Sequence, residues 1–385
     1  RAREEAVVIG ALFGTIVANA ALVAYTYVGY PILVGACAAL RGERKPPPPP
    51  KDEEVPSISV LLPVYNGASD LPAKVESLLN QDYPADRLEL LIYCDGCSDD
   101  SQSVAEELAA ASANRTRIRV VASRDRKGKP AALNALAALA EGELLLMNDV
   151  RQPLSRNSAR ALAAEFRDPK VGCATGVLVL SGNAASGAYW RYEDWIRSRE
   201  SRFRGVVGMT GAIAMMRRSD FVPLPEEVIL DDVWIPMRLV LLKKRVVSVR
   251  EAEAYDAAFA DAREFRRKVR TLAGNYQLFA LLPDLLSPFK NPLWLETVSH
   301  KVLRLAVPWS LGALLAASAG TMLGGGAAAL VGGTLFGGQV LFYVAAAVGP
   351  RAGRIGTLAR TFVVMNGAAA LGLWRYATGR QQVTW

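Results

Sequence analysis

The sequence predicts an α/β layer domain with a parallel-rich sheet, carried between membrane-spanning α-helices. Three observations lead there. The first is charge. The 385-residue chain has a net +8, yet residues 1–40 hold only Arg1, Arg3, Glu4 and Glu5, and residues 302–385 hold only arginines, leaving the crowded middle at a net of +2. The second is that both flanks run apolar over lengths that cross a bilayer. The third is that the middle alternates short apolar runs with longer stretches of helical spacing, the pattern of strands and helices in layers. The charge partition also removes a function class. Nucleic-acid binding needs Lys and Arg massed on the domain itself, whereas Arg304, Arg351, Arg354, Arg360, Arg375 and Arg380 lie in an apolar flank.

Residues 1–45 form the first element. Ala6 to Leu40 holds no charged side chain, and about 20 such residues suffice to span. A cleavable signal peptide would be apolar over only about 7–15 residues. One helix is expected, tilted or broken near Gly29-Tyr30-Pro31, because proline removes a backbone donor. Residues 46–56 are a linker in which Pro46 to Pro50 make a stiff polyproline spacer.

Residues 57–262 form the α/β domain. Ile58 to Pro63, Leu88 to Cys94, Ile118 to Ala122 and Leu144 to Met147 read as buried parallel strands. Leu71 to Gln81, Val104 to Ala111 and Pro130 to Ala140 carry helical spacing between them. Ligands of such sheets bind beyond the carboxyl ends of the strands. There the chain places Pro63-Val-Tyr65-Asn66-Gly67, Asp95-Gly-Cys-Ser-Asp99 and Asn148-Asp149-Val-Arg151. Acids at neighbouring strand ends are costly without a cation or a donor-rich ligand between them, and a nucleotide supplies such donors. Neither phosphate-loop glycine motif occurs at a strand end, which disfavours kinases, ATPases and dehydrogenases. Further on, Thr210-Gly211-Ala-Ile leads an apolar stretch, and Asp231-Asp232 precedes a helical pattern from Val233 to Leu242. That acidic pair reads either as a helix cap or as a general base with its orienting partner.

Cys94-x-x-Cys97 has no second pair or histidine cluster to complete a metal site. The single histidine, His300, lies outside the middle domain, so a Ser-His-Asp or Cys-His nucleophile is excluded there. Residues 263–304 open with Arg263, Arg266, Arg267, Lys268 and Arg270 ahead of Leu278 to Leu282. Such a basic amphipathic stretch lies on a membrane surface, and it is expected to close the site from below. Residues 305–385 hold three further spans, Leu305 to Leu323, Ala327 to Val348 and Ile355 to Tyr376. The connector from Gly349 to Arg360 carries three arginines, which places it, and with it the α/β domain, in the cytoplasm.

Taken in order, Pro63-Val-Tyr65-Asn66, Asp95-Gly-Cys-Ser-Asp99, Gly128-Lys129-Pro-Ala-Ala-Leu-Asn134, Asp149-Val-Arg151, Thr210-Gly211-Ala-Ile and Asp231-Asp232 resemble family 2 glycosyltransferases. Of these, the sequence looks most like the membrane-embedded branch that includes cellulose, hyaluronan and poly-N-acetylglucosamine synthases. Ser299-His300-Lys301-Val-Leu-Arg304 with Pro308 looks like the entry to that branch's later membrane helices. The resemblance implies a GT-A fold in which Pro63, Tyr65 and Asn66 line the nucleotide pocket and Asp95 meets uracil or ribose. Lys129 would reach the base or phosphates. Asp149 matches the first acid of D-x-D, which holds the donor and a divalent metal, Mg²⁺ or Mn²⁺. Arg151 replaces the second acid, so a metal ligand is missing and the guanidinium is expected to meet phosphate directly. Asp232 matches the catalytic base, with Asp231 where glutamate is usual, and Thr210 and Gly211 shape the acceptor or sugar pocket. Arg270 is the nearest match to the arginine of Q-x-x-R-W, without its tryptophan.

The expected function is inverting transfer of a sugar from a nucleotide-sugar, a UDP-sugar by this reading, to a glycan or lipid-linked acceptor at the cytoplasmic face of the lipid bilayer. The alternative is a processive polysaccharide synthase, whose few spans would call for a homodimer or a translocation partner. The reading from another class is a scaffold that binds nucleotide-sugar without turnover.

Overall fold

In the computed structural model the structure describes residues 2–42, 47–181, 184–257 and 261–383, without the side chains of residues 2, 181–188 and 261–264. Pro46 of the linker and the side chain of Arg263 thus lie outside the described residues. The chain divides into two compact units: Arg1–Ala36, Ala260–Tyr276 and Leu295–Arg380 in one, Cys37–Phe259, Gln277–Trp294 and Gln381–Trp385 in the other. The first helix is α1 (Ala2–Ala24), which passes through a π-helical turn, Tyr25–Gly29, into α2 (Tyr30–Arg41). The turn sits just before Pro31, close to the expected break. Tyr30 N–H bonds to the Tyr25 carbonyl five residues back, a local widening of the kind proline's missing donor invites.

The linker is tied down. Arg160 donates to the Pro50 carbonyl at 2.7 Å and pairs with Asp52 at 2.6 Å, and Arg167 donates to the Pro48 carbonyl at 3.1 Å and pairs with Glu54 at 2.7 Å. After it come β1 (Ile58–Val64), α3 (Leu71–Leu79), β2 (Leu88–Asp95), α4 (Ser101–Ala111), β3 (Arg117–Ser123), α5 (Lys129–Leu139) and β4 (Leu144–Asn148). The expected strands and helices fall on these within a few residues. The chain continues through α6 (Ser158–Ala164), β5 (Val171–Ser181), α7 (Ala184–Phe203), β6 (Ile213–Arg217), α8 (Asp231–Leu241) and β7 (Arg245–Ala257).

The seven strands form one sheet in the order β3-β2-β1-β4-β6-β5-β7. Pairing is parallel except where β6 runs antiparallel to β4 and β5. The carboxyl ends of β1, β2, β4, β5 and β7 and the amino end of β6 therefore share one edge. Pro63 is buried in β1 beyond its last pair with β4, Leu61↔Met147, so its missing N–H removes no bond on that side. Every β1 residue is buried, because the sheet is covered on both faces. Leu61, Leu91, Leu145 and Met147 join α5 and α8 in one apolar cluster, while Val60, Leu62, Leu90 and Leu146 join α3, α4 and α6 in the other. The period of two along each strand feeds both layers.

The last stretch comprises α9 (Asp261–Leu281), α10 (Trp294–Glu296), a second π-helical turn at Thr297–Val302, α11 (Leu303–Thr321), α12 (Gly326–Val348) and α13 (Gly353–Ala377). Within the helical unit α1 lies along α11, and the two π turns meet: Tyr25 Oη is 2.9 Å from Ser299 Oγ. Among the described residues three helical runs are long and apolar enough to cross a membrane, Arg3–Arg41, Trp294–Gly324 and Gly326–Ala377. The second and third C-terminal spans expected from sequence form one run, divided by a 3₁₀ turn at Gly349–Ala352 whose flanking Gly349 and Gly353 take positive φ.

Candidate active site

The shared edge collects most of the residues named from sequence. Lys129, at the start of α5, is nearly buried and sets its ammonium 2.8 Å from Asp149 Oδ1 and 3.0 Å from Asp231 Oδ2. Asp149 follows β4 directly and Asp231 opens α8, so three segments contribute to one charge cluster. Burial works against the lysine's charge, but the Asp149 and Asp231 carboxylates outweigh it and push the ammonium well above the ordinary lysine range. Lys129 is thus a permanent cation. Gly211 closes over the cluster: a Cβ there would stand 3.1 Å from Asp149 Oδ2 and 3.5 Å from Lys129 Nζ. Glycine lets the backbone approach where a side chain would crowd the carboxylate.

Asp232 follows Asp231 in the first turn of α8, and its backbone carbonyl accepts the Met209 N–H at 2.8 Å. That bond ties the base candidate to the segment leading into Thr210 and Gly211. Thr210 is held in turn by its N–H donating to Thr175 Oγ1 at 2.9 Å. Asp231 therefore does more than cap a helix, because its carboxylate is matched to a lysine on another element.

Beyond β1 and β2 the partners differ. Asp95 is fully buried, and its two oxygens accept the N–H groups of Lys127 at 2.7 Å and Gly128 at 2.8 Å. Those bonds fix the loop that carries Arg126, whose guanidinium lies 3.7 Å over the Tyr65 ring, a cation–π contact. Gly96, at φ +60, leaves space for this loop; a Cβ would meet Arg126 N at 2.6 Å. Asn66 takes the left-handed conformation at φ 47 and accepts the Ser98 N–H at 2.8 Å. Asp99 accepts the Ala68 N–H at 3.1 Å. Burial would raise its carboxyl, but the Ser101 hydroxyl and the Ala68 and Ser101 amides hold it below the usual range. Cys94 is pushed up to about 12 by burial and then by Cys97.

Arg151 is placed against Asp256, near the end of β7, at 2.7 Å. Asp256 also accepts Gln152 Nε2 at 2.8 Å, and the Gln152 carbonyl accepts the ammonium of Lys74 at 2.6 Å. Lys74, on α3, is fully buried; desolvation lowers it to about 7 against an opposing pull from Asp149. Sequence reasoning missed Lys74, Gln152, Asp256 and Arg126, since nothing along the chain links them to the motif residues they grip. Arg270 lies on α9 in the helical unit.

Asp149 and Asp231 are the acids that could hold a divalent ion. Among the described residues no group of three or more metal-ligating side chains occurs. The donor set suits an ion held by one or two carboxylates and completed by substrate phosphates, a usual arrangement for Mg²⁺.

Residues 59–222 match the family model described as glycosyl transferase family 2. An N-acetylglucosaminyltransferase of Rhizobium leguminosarum bv. viciae is 30% identical over 192 residues, 47% of this chain and 44% of the relative. One from Mesorhizobium japonicum is 31% identical over 185 residues, 46% and 42%. The chain spans less than half the length of these curated relatives. A solved mannosyltransferase of Pyrobaculum calidifontis, in complex with GDP-Man and Mn²⁺, superposes with a TM-score of 0.75 at 22% identity, over 95% of this chain and 99% of the other. Sheet order and the likeness to that solved structure give the globular domain the GT-A fold, and residues 59–222 within it carry the match to the glycosyl transferase family 2 model.

Proposed function

We propose that the protein is a membrane-bound inverting glycosyltransferase, its GT-A domain in the cytoplasm, moving a sugar from a UDP-sugar to a glycan or lipid-linked acceptor with formation of a β-glycosidic bond. The observation that carries the reading is the cluster of Lys129, Asp149 and Asp231 with Asp232 adjoining it. Asp232 takes the proton of the acceptor hydroxyl as its oxygen bonds to the anomeric carbon. The bond from that carbon to the diphosphate oxygen breaks in the same step, and the centre inverts. Asp231, matched to Lys129, orients the start of α8 that presents Asp232. Lys129 and Arg151 offer fixed positive charge to the departing diphosphate. A divalent cation held by Asp149 with the donor's phosphates would add to that neutralisation. Thr210 and Gly211 border the sugar, Tyr65 and Asn66 the nucleotide.

The curated relatives bear the name N-acetylglucosaminyltransferase, which supports an N-acetylhexosamine donor as the first to test. The full-length protein in detergent is given a panel of UDP- and GDP-sugars with and without Mn²⁺ or Mg²⁺, and nucleoside diphosphate release is followed. Asp232→Asn is expected to lose transfer by roughly a hundred-fold to ten-thousand-fold, the range for removing a general base. Unchanged transfer in that variant would remove the base assignment, and no turnover of any sugar nucleotide would leave the scaffold reading. A processive synthase is told apart by its ladder of long products.

A further inference from the structure

We propose that Asp256 is a positioning residue for the donor's diphosphate: from β7 it holds Arg151 as a fixed cation two residues beyond Asp149. The inference rests on the glycosyltransferase reading above and concerns the same site. Arg151 stands where a second acid would complete an acid-x-acid pair, and an arginine on a loop ordinarily has wide rotamer freedom. Here its Nη2 lies 2.7 Å from Asp256 Oδ2.

The anchor is built from several sides. Asp256 Oδ2 also accepts Gln152 Nε2 at 2.8 Å, and Oδ1 accepts the Ala257 N–H at 2.8 Å. Its side chain is 5% exposed while that of Arg151 is 39% exposed, so the acid is sunk in the fold and the guanidinium reaches the surface. A buried carboxylate is costly unless paired, which makes this a directed arrangement rather than a chance surface contact. From α3 the buried Lys74 donates to the Gln152 carbonyl at 2.6 Å. The segment from Asp149 to Gln152 is thus gripped through its backbone by one element and through two side chains by another. A guanidinium has five N–H donors in a planar fork, so a carboxylate and phosphate oxygens can be served by the same group. Lys129, paired with Asp149, and Arg151, two residues further along and paired with Asp256, then give the loop after β4 two fixed cations.

The test separates diphosphate recognition from general structure. UDP and uridine are titrated calorimetrically into the full-length protein in detergent with EDTA present, for wild type, Asp256→Asn, Asp256→Glu and Arg151→Lys. Asp256→Asn and Arg151→Lys are expected to weaken UDP by roughly ten-fold or more, the size of one lost charge-assisted contact, while uridine stays within about two-fold. Asp256→Glu recovers part of the UDP affinity. Unchanged UDP affinity, or UDP and uridine weakened together, overturns the positioning role. Arg151→Lys acts at a side chain 39% exposed, so it decides the question by itself should Asp256→Asn fail to fold. A wild-type protein that binds no nucleoside diphosphate either with EDTA or with Mn²⁺ added overturns the glycosyltransferase reading as well, whereas normal wild-type binding with unaltered variants overturns this inference alone.

Discussion

Beyond β1 and β2 the acids bond to the chain's own amides, whereas beyond β4, β6 and β7 they bond to charged side chains from other elements. Asp95 and Asp99 belong to the first group, with Lys127, Gly128, Ala68 and Ser101 N–H groups as partners. Asp149, Asp231 and Asp256 belong to the second, with Lys129 and Arg151. Amide partners cannot leave without moving the backbone, so the first group shapes loops. Lysine and arginine partners bring a full positive charge from another element, so the second group sets charge as well as shape at the edge. The same residue type therefore does scaffold work on one side of the edge and electrostatic work on the other.

The sharpest way to break this contrast is to remove the shared cation. Lys129→Ala leaves Asp149 and Asp231 facing each other without compensation, and is expected to cost about 3–5 kcal/mol of stability, measured by urea unfolding of the solubilised protein. A loss under about 1 kcal/mol would mean that solvent already screens the cluster. The second test acts on the scaffold side. Asp95→Ala strands the buried Gly128 N–H, at about 1–3 kcal/mol, and frees the more exposed Lys127 N–H, and protease cleavage within residues 124–128 should rise with the loss. If instead uridine binding vanished while stability held, Asp95 would belong with the working acids. The third test is a pH slope. Because the folded-state Lys74 is lowered to about 7 from 10.5, the unfolded chain binds more protons between those values, and stability rises with pH across that window. Equilibrium unfolding at pH 7, 8.5 and 10 should show the rise in wild type and not in Lys74→Met.

How far the sequence revealed this depends on where each signal is stored. β1, β2 and β4 were legible because strands buried on both faces are largely apolar runs, as Val60 to Leu62 and Leu144 to Met147 show, and β3, a partly exposed edge strand, was legible from Ile118, Val120 and Val121. β7 was not, because its burial alternates and its outward positions carry Arg250, Glu253 and Tyr255; nor was α7, whose charged and aromatic residues mask helical spacing. At the site, motif residues adjacent in the chain could be named directly. Asp256 could not, since its partner Arg151 is 105 positions away. Lys74 sits at helical spacing with Leu71, Val75 and Leu78 on the packed face of α3, but a lysine reads as a side chain that reaches water, and only the fold shows it buried. The partners of Asp95 are backbone amides, which carry no residue identity to read.

The two π turns in the helical unit have a bearing on insertion and deletion. An α-helix advances about 100° per residue, and a π turn accommodates one additional residue without breaking the run. Tyr25–Gly29 and Thr297–Val302 thus each set the rotational phase between the helix before and the helix after. Removing one residue from either turn would let the run close into an unbroken α-helix with its later side chains near their present facing, whereas the same deletion in regular helix would swing them by about 100°. The contact of Tyr25 with Ser299 at 2.9 Å joins the turns at one level, so single deletions are expected to be tolerated better inside the turns than elsewhere in these spans.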